Sequence, residues 1–518
     1  MKFRKITAIF AALTLLTGSL SGMSVSAAAK GSGDIDENGS VQIADAILLA
    51  RWIAEDTDIT VTTQGLANAD MNGDDKVDSD DAASLLSWLA GTETAPPAES
   101  RSVDLLAGIE AIGTEGKAAD SAFVSAQSKF TANLLRQVQA EETDKNKNLL
   151  LSPLSVSLAL GMTMNGAKGD TLAEMQKVLG DTLTAEELNA YYKGWSDRLL
   201  TPQTVRYYGF NDDGYFDELE TESAPVTLAN AIWIKDDEQM IQVPQQFLQT
   251  IAGYYKAGVF KAPFDDTTVE DVNSWCDENT HHMIPSVLDK LSPDAVMLLA
   301  NALTFEDVWE TQYEDYRVLD GTFTAANGES RDAKMMHSDE YCYLCDDQAT
   351  GFIKGYRDPR YSFAAVLPNE DISLDDYIAS LDGEKLAGLL EKRQHCDVNA
   401  AMPKFSFDYG TELSKVLKAL EMPTAFGEGE ISPDFTGLNE APVEGDTKIG
   451  RVIHKTHIDV SESGTKAAAV TVVEMLTEGV IEEPPQPKYV TLDRPFLFMI
   501  LDNQTNLPIF IGTVKDIQ

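Results

Sequence analysis

Two stretches of this 518-residue chain repeat each other at a spacing of 36 residues, and that duplication narrows the possible folds more than any other feature. Asp34 matches Asp70, Val41 matches Val77, and Asp45 matches Asp81. Leu49 matches Leu85, Trp52 matches Trp88, and Ala54 matches Ala90. Each copy opens with alternating oxygen-bearing side chains and runs into an apolar helical pattern. A repeat of this length is a single supersecondary unit, here a loop and a helix.

The oxygens in both copies are spaced as calcium ligands. The first loop offers Asp34, Asp36, Asn38, Gln42 and Asp45 as side-chain ligands, with Ser40 placed to give its carbonyl. The second offers Asp70, Asn72, Asp74, Asp78 and Asp81, with the carbonyl of Lys76. Calcium is a hard cation that takes about six to eight oxygens, so a short loop curling around it supplies them at alternate positions. Gly39 stands where the first loop needs a sharp turn. The second loop has Asp75 there and Gly73 two places earlier, so its site is expected to be weaker or differently shaped. The expected cofactor is calcium, two ions.

Charge excludes several partners. The chain has 40 Lys and Arg against 84 Asp and Glu, a formal net charge of −44. Phosphate backbones and anionic membranes require clustered cations, so neither nucleic acid nor a membrane surface is an expected partner. A hydrophobic fraction of 43% separates it from disordered acidic chains. Four cysteines are too few for a disulfide-built scaffold.

Residues 1–29 read as a secretory signal. Lys2, Arg4 and Lys5 form a positive start, Ile6 to Leu20 is apolar, and Ala27-Ala28-Ala29 offers small residues for cleavage. The apolar run is too short to span a bilayer and no later one is longer, so the expected address is extracellular, with no membrane contact after signal removal. Residues 92–101 are a polar, Pro-stiffened linker between a module at 32–91 and a large domain at 102–518. Helical patterns in that domain fall at 119–142, 153–180, 185–200, 269–280 and 410–421. Strand-like runs fall at 226–235, 296–305, 361–367, 402–407, 451–460, 466–473, 489–501 and 508–514. The order lacks regular β-α alternation, which points to α+β with much antiparallel sheet.

No catalytic motif stands out. There is no Gly-x-Ser-x-Gly elbow and no His-Glu-x-x-His helix. None of the six histidines has a neighbouring nucleophile in sequence. Cys342 and Cys345 form a single Cys-x-x-Cys whose members point to opposite faces of a strand.

The paired loop-helix module resembles a dockerin, the calcium-dependent plug that docks into a cohesin in a cellulosome. This implies a small all-α domain with two calcium-binding repeats, and cohesin contact through Ile43-Ala44 and Ser79-Asp80. The two pairs differ, so the copies are not expected to dock interchangeably. An ordinary EF-hand pair is the alternative, but a full entering helix before each loop is not evident.

The large domain resembles the serpins over its whole length. Asn148-Leu-Leu-Leu-Ser152-Pro153-Leu-Ser155 leads to Asn165-Gly166-Ala167 and Thr171. Leu228-Ala-Asn-Ala-Ile-Trp, Asn301-Ala-Leu-Thr-Phe with Trp309, and Met402-Pro-Lys-Phe405 follow in order. His454-Lys455 leads into Glu462-Ser-Gly464-Thr465, and Arg494-Pro-Phe leads to Phe510-Ile-Gly512. The resemblance implies a large central sheet surrounded by helices, an exposed reactive loop, and no enzymatic activity. It assigns Ser152, Ser155, Asn301 and His454 to a polar cluster that controls opening of the sheet, with Trp309 at the top of the opening. It makes Glu462, Gly464, Thr465, Ala467, Ala468 and Ala469 the hinge on which a protease-cut loop enters the sheet as a new strand. The partner is then a serine protease, held as a covalent acyl complex.

The residues themselves agree with a strand that can enter a sheet. One face of 465–477 carries Thr465, Ala467, Ala469, Thr471, Val473, Met475 and Thr477, with no charge. Lys466 and Glu474 lie on the other face, which is expected to stay solvated. Counted from Glu462 as in the family, the cut falls at Glu478–Gly479; counted back from Arg494-Pro495 it falls later. Thr477–Glu478, Leu476–Thr477 and Met475–Leu476 are the other candidate bonds. The alternative to an inhibitor is a non-inhibitory serpin-fold scaffold or binding module of the cellulosome. A dockerin-borne polysaccharide hydrolase is the rival from the enzyme class.

Overall fold

The computed structural model describes residues 23–24, 33–36, 40–41, 43–53, 59–71, 76–89, 102–111, 115–210, 216–280, 282–291, 295–440, 447–465 and 486–517. The chain forms two compact units, Met1–Arg101 and Ser102–Gln518.

In the first unit, helices Ile43–Ile53 and Ser79–Leu89 pack on each other, with the shorter Thr63–Ala69 between them in sequence. Their core is built from residues that the duplication makes equivalent: Ile35 and Met71, Ala46 and Ala82, Leu49 and Leu85. The duplication in the sequence is therefore a duplication in the packing. Thr62 caps the middle helix by accepting from Gly65 N at 2.9 Å. Gly65 is required there, because a Cβ would stand 2.4 Å from the Ile35 carbonyl oxygen. Asn68 Nδ2 donates to Asp34 O at 2.7 Å, which ties that helix to the first acidic loop.

The second unit is α+β. Strands Val103–Asp104, Gly258–Ala262, Val226–Lys235 and Met297–Phe305 form one sheet in that order. Asp307–Val308, Gly464–Thr465, Ile453–Val460 and Phe405–Glu412 form another. A third and larger sheet runs from Leu149–Leu151 through Leu507–Val514 and Phe496–Asp502 to Lys488–Thr491 at its far edge. Helix Pro153–Met164 is buried on every side and packs against both Met297–Phe305 and Leu507–Val514. Such all-round burial suits its almost unbroken apolar sequence.

Two expectations are corrected. The pattern at 153–180 is two helices, Pro153–Met164 and Gly169–Gly180. The chain breaks at Asn165-Gly166, where a Cβ on Gly166 would lie 2.3 Å from Leu438 Cβ. The pattern at 410–421 is a strand end followed by one short helix, Ser414–Ala419. Its ladder with Ile453–Val460, where Gly410 faces Lys455 and Glu412 faces Ile453, overrides local helix preference. The expected strand at 466–473, the signal at 1–22 and 25–29, and the linker at 92–101 lie outside the described residues. Cys342 and Cys345 are free thiols. No helix among the described residues is long and apolar enough to cross a membrane.

Candidate functional site

The hinge begins where Ile453–Val460 ends. Gly464 and Thr465 sit as a two-residue strand, antiparallel to Asp307–Val308 on one side and to Val460 on the other. Gly464 is the residue that fits, since a Cβ would lie 2.2 Å from the Asp307 carbonyl oxygen and 2.6 Å from Val308 Cα. Thr465 is buried, and its hydroxyl lies 2.6 Å from Tyr356 OH. Tyr356 stacks on Trp309 with ring centroids 4.6 Å apart. Trp309 holds the turn before the hinge from two directions. Its backbone N donates to Ser463 O at 3.0 Å, and its indole Nε1 donates to Ser461 O at 2.8 Å. Tyr313 N donates to Glu462 O at 3.0 Å. The Glu462 carboxylate pairs with Lys404 at 2.5 Å, and that partner draws its pKa below the usual range. Asp307 accepts from the backbone N of Asp358 and of Val308, yet its burial pushes the carboxyl pKa up to about 6.

Below this point the two flanking strands share no ladder among the described residues. Met297–Phe305 and Ile453–Val460 lie side by side but belong to separate ladders. Gly464–Thr465 stands at the top of the seam between them. Leu303 and Phe305 on one strand, and Ile458 and Val460 on the other, belong to the main core.

The expected polar cluster assembles in part. His454 is fully buried, and burial lowers its pKa to about 4, so the imidazole is neutral at ordinary pH. Its Nε2 accepts from Ser152 N at 3.1 Å, which requires that nitrogen to be unprotonated. Ser152 caps helix Pro153–Met164 by accepting from Ser155 N at 3.2 Å. Asn301 bonds elsewhere. Its Nδ2 donates to Asn230 Oδ1, directly across the ladder, and its own Oδ1 is buried without a partner among the described residues. Asn230, Tyr356, Tyr313, Lys404 and Asp307 were not read from the sequence. For Asn230 a signal existed: Leu-Ala-Asn-Ala occurs at both 228–231 and 299–302, and the two asparagines face each other. Ala467, Ala468, Ala469, Glu478 and Gly479 lie outside the described residues.

In the smaller unit, Asp34, Asp36 and Asp45 bring carboxylate oxygens within 4.8 Å of one another. Asp45 Oδ1 accepts from Ile35 N at 2.8 Å, and Asp81 Oδ1 accepts from Met71 N at 2.8 Å, the same bond in each repeat. Asp34, Asp45, Asp70 and Asp81 are all buried. Four buried carboxylates in equivalent places fit a divalent cation in each loop, because sealing them from water costs free energy that a cation offsets. Asn38, Gln42, Asn72 and Asp74, and the side chains of Ser40 and Asp80, lie outside the described residues. Lys76 and Asp78 are exposed in the second loop. Ile43 and Ser79 open their helices half-buried, and Ala44 is exposed.

Comparison with known proteins agrees with both units. Residues 125–517 match the serpin (serine protease inhibitor) family, and residues 32–89 match the dockerin type I domain. An uncharacterized serpin-like protein of Thermococcus kodakarensis is 27% identical over 398 residues, covering 76% of this chain and 85% of that protein. One of Methanosarcina acetivorans is 27% identical over 410 residues, covering 76% and 88%. Among solved structures, the thermophilic serpin tengpin in its native state is 38% identical, covers 80% of this chain and all of its own, and superposes with a TM-score of 0.71. Tengpin in its latent state is 37% identical, covers 78% of this chain and all of its own, and gives 0.64. The chain belongs to the serpin family and carries a dockerin type I domain ahead of its serpin domain.

Proposed function

We propose that this chain is a secreted inhibitor of serine proteases that traps its target by inserting its own cut loop into the parted sheet. The residue assignments are a signal at 1–29, a docking module at 32–91, a linker at 92–101 and an inhibitor domain at 102–518. The observation that carries the reading is the seat of Gly464–Thr465, already paired on both sides at the top of an unladdered seam. Carrying that register downward would set Ala467 between Phe305 and Ile458, Ala469 between Leu303 and Thr456, and Thr471 between Asn301 and His454. The uncharged face of the loop then meets the core, and Thr471 brings a hydroxyl to the unpartnered Asn301 Oδ1.

The opposite face matches in charge as well. Lys466 would fall between Glu306 and Asp459, and Glu474 beside Arg451. This face is less open than the sequence suggested. Helix Asp266–Asn279 covers Leu298 and Ala300, packing Val272 and Cys276 against them. The helix would have to yield locally as the strand passes.

The covalent step belongs to the protease. Its nucleophile attacks the carbonyl of the bait residue, with Glu478–Gly479 as the proposed bond, and insertion strands the acyl-enzyme before water releases it. The dockerin domain would tether the inhibitor to a cohesin of an extracellular cellulosome through two calcium loops. Asp34, Asp36, Asn38, Ser40, Gln42 and Asp45 would hold one ion. Asp70, Asn72, Asp74, Lys76, Asp78 and Asp81 would hold the other. Calcium would supply the positive charge that lets the buried carboxylates close each loop around it. Incubation with glutamyl-, elastase- and subtilisin-type serine proteases tests the reading. A complex stable in SDS and release of the peptide after the cut bond are expected. Cleavage with no complex from any of them would convert the chain into a non-inhibitory scaffold.

A further inference from the structure

The segment that holds the hinge also forms one wall of an open cavity of about 380 Å³ in the serpin domain. On the hinge side, Trp309 and Tyr313 bond the backbone of Ser463 and Glu462. On the cavity side, the same stretch presents Glu310, Gln312 and Glu314. The opposite wall comes from strand Ser330–Cys345, at Asp339, Glu340 and Tyr341. The cavity therefore lies beside the segment from which the loop departs. It is also close to where the loop returns, because Asp339 pairs with Asn399 and Asn399 with Tyr489 in the strand that follows the loop.

The cations of this cavity are spent. Lys354, almost fully buried, pairs with Glu340 at 2.9 Å, and Arg317 pairs with Asp339 at 2.8 Å. Two carboxylates remain, and neither Glu310 nor Glu314 has an ion-pair partner among the described residues. Glu310 is drawn in because residue 355 is glycine: a Cβ there would lie 2.6 Å from its Oε2. Two tyrosines that line the cavity, Tyr316 and Tyr341, are 68% and 59% exposed. Gln312 holds its Nε2 away from solvent with no acceptor among the described residues. Carboxylates beside exposed aromatic rings suit a guanidinium or ammonium group, which pairs with the acid and lies on the ring face.

We propose that this cavity is a second contact for the target protease, taking an arginine- or lysine-bearing segment of its surface while the loop occupies its active site. This rests on the inhibitor reading above. The cavity sets which proteases are met quickly, because charge pairing at an interface acts chiefly on association.

The test uses the full chain and a fluorescent acetyl-Gly-Arg-Gly-Arg-Gly-amide peptide, titrated at low and at moderate salt. Saturable binding that weakens with salt is expected. The double variant Glu310→Gln/Glu314→Gln should weaken it at least fivefold. Glu218→Gln/Glu222→Gln, on an exposed acidic hairpin elsewhere, should leave it unchanged. Equal loss in both double variants, or no loss in the first, overturns the site. With a protease that forms the SDS-stable complex, the first double variant should slow association severalfold at unchanged stoichiometry. An unchanged rate overturns the cavity as a protease contact. Peptide binding at the cavity with no complex from any protease removes the inhibitor reading instead, and leaves a site for a basic segment.

Discussion

The two units answer the cost of burying polar groups in opposite ways. Among the described residues, the 32–89 unit buries four aspartates beside a core of nine apolar residues, so on the calcium-binding reading its stability would depend on a cation. The serpin unit buries far more apolar surface among the described residues. Among its described residues, Met297–Phe305 and Ile453–Val460 share no ladder, Asn301 Oδ1 has no partner, and burial raises the Asp307 carboxyl pKa to about 6.

Removing calcium should separate them most sharply. At about 100 times its Kd a ligand contributes about 2.7 kcal/mol per site. A chelator should therefore unfold the 32–89 unit and abolish cohesin capture, with the serpin unit's melting unchanged; calorimetry resolves the two transitions. A single joint transition that moves with calcium would break the comparison. Asp34→Ala should cost more than Asp70→Ala if the second loop is the weaker site.

Cutting the loop should have the reverse selectivity. A new strand of about ten residues should raise the serpin unit's melting temperature by roughly 10 °C or more, at a few degrees per kcal/mol. Cut and uncut protein melting together would end the insertion reading. Thr465→Arg would place a charge in the seat beside Tyr356, at a cost of several kcal/mol. The variant should be cleaved as a substrate without forming the stable complex.

The two buried titratable groups near the seam should pull against each other with pH. His454 has a folded pKa of about 4, below the ordinary 6.5. Its contribution is present above pH 6.5 and is lost as pH falls toward 4, by roughly 3 kcal/mol. Asp307 has a folded pKa of about 6, above the ordinary 3.8. Its contribution is present below pH 3.8 and is lost as pH rises through 6, by a similar amount. Asp307→Asn should therefore be more stable than the parent at pH 7, with the difference vanishing near pH 4. Denaturant titrations at both pH values measure it, and a constant difference would remove Asp307 from the account. The smallest effect belongs to Lys404→Met. Both partners of the Glu462–Lys404 pair are more than a third exposed, so its loss should cost under about 1 kcal/mol.

Much of this was legible in order and parity. The duplication carried part of its own core, since Leu49 and Leu85, which repeat, both pack there with Ala46 and Ala82. Strand Ser330–Cys345 was not legible, because Arg331, Asp332, Lys334, Asp339 and Glu340 interrupt any apolar alternation. Its strand character comes from neighbours on both sides, at Val318–Thr324 and Gln394–Pro403. The Glu340–Lys354 pair was equally hidden, since two charged residues 14 apart carry no mark of a shared buried site. Helix coverage at Leu298 escaped for the same reason: parity tells which residues share a face, not what lies over it.

The bond from Leu149 N to Thr513 Oγ1 spans 364 residues. Strand Leu149–Leu151 has its ladder partner in Leu507–Val514, so its edge of the large sheet stays open until nearly the whole chain has been made. Pairings so distant in sequence are slow to find. The order of synthesis thus keeps the seam strands, Met297–Phe305 and Ile453–Val460, waiting on an unfinished sheet behind them.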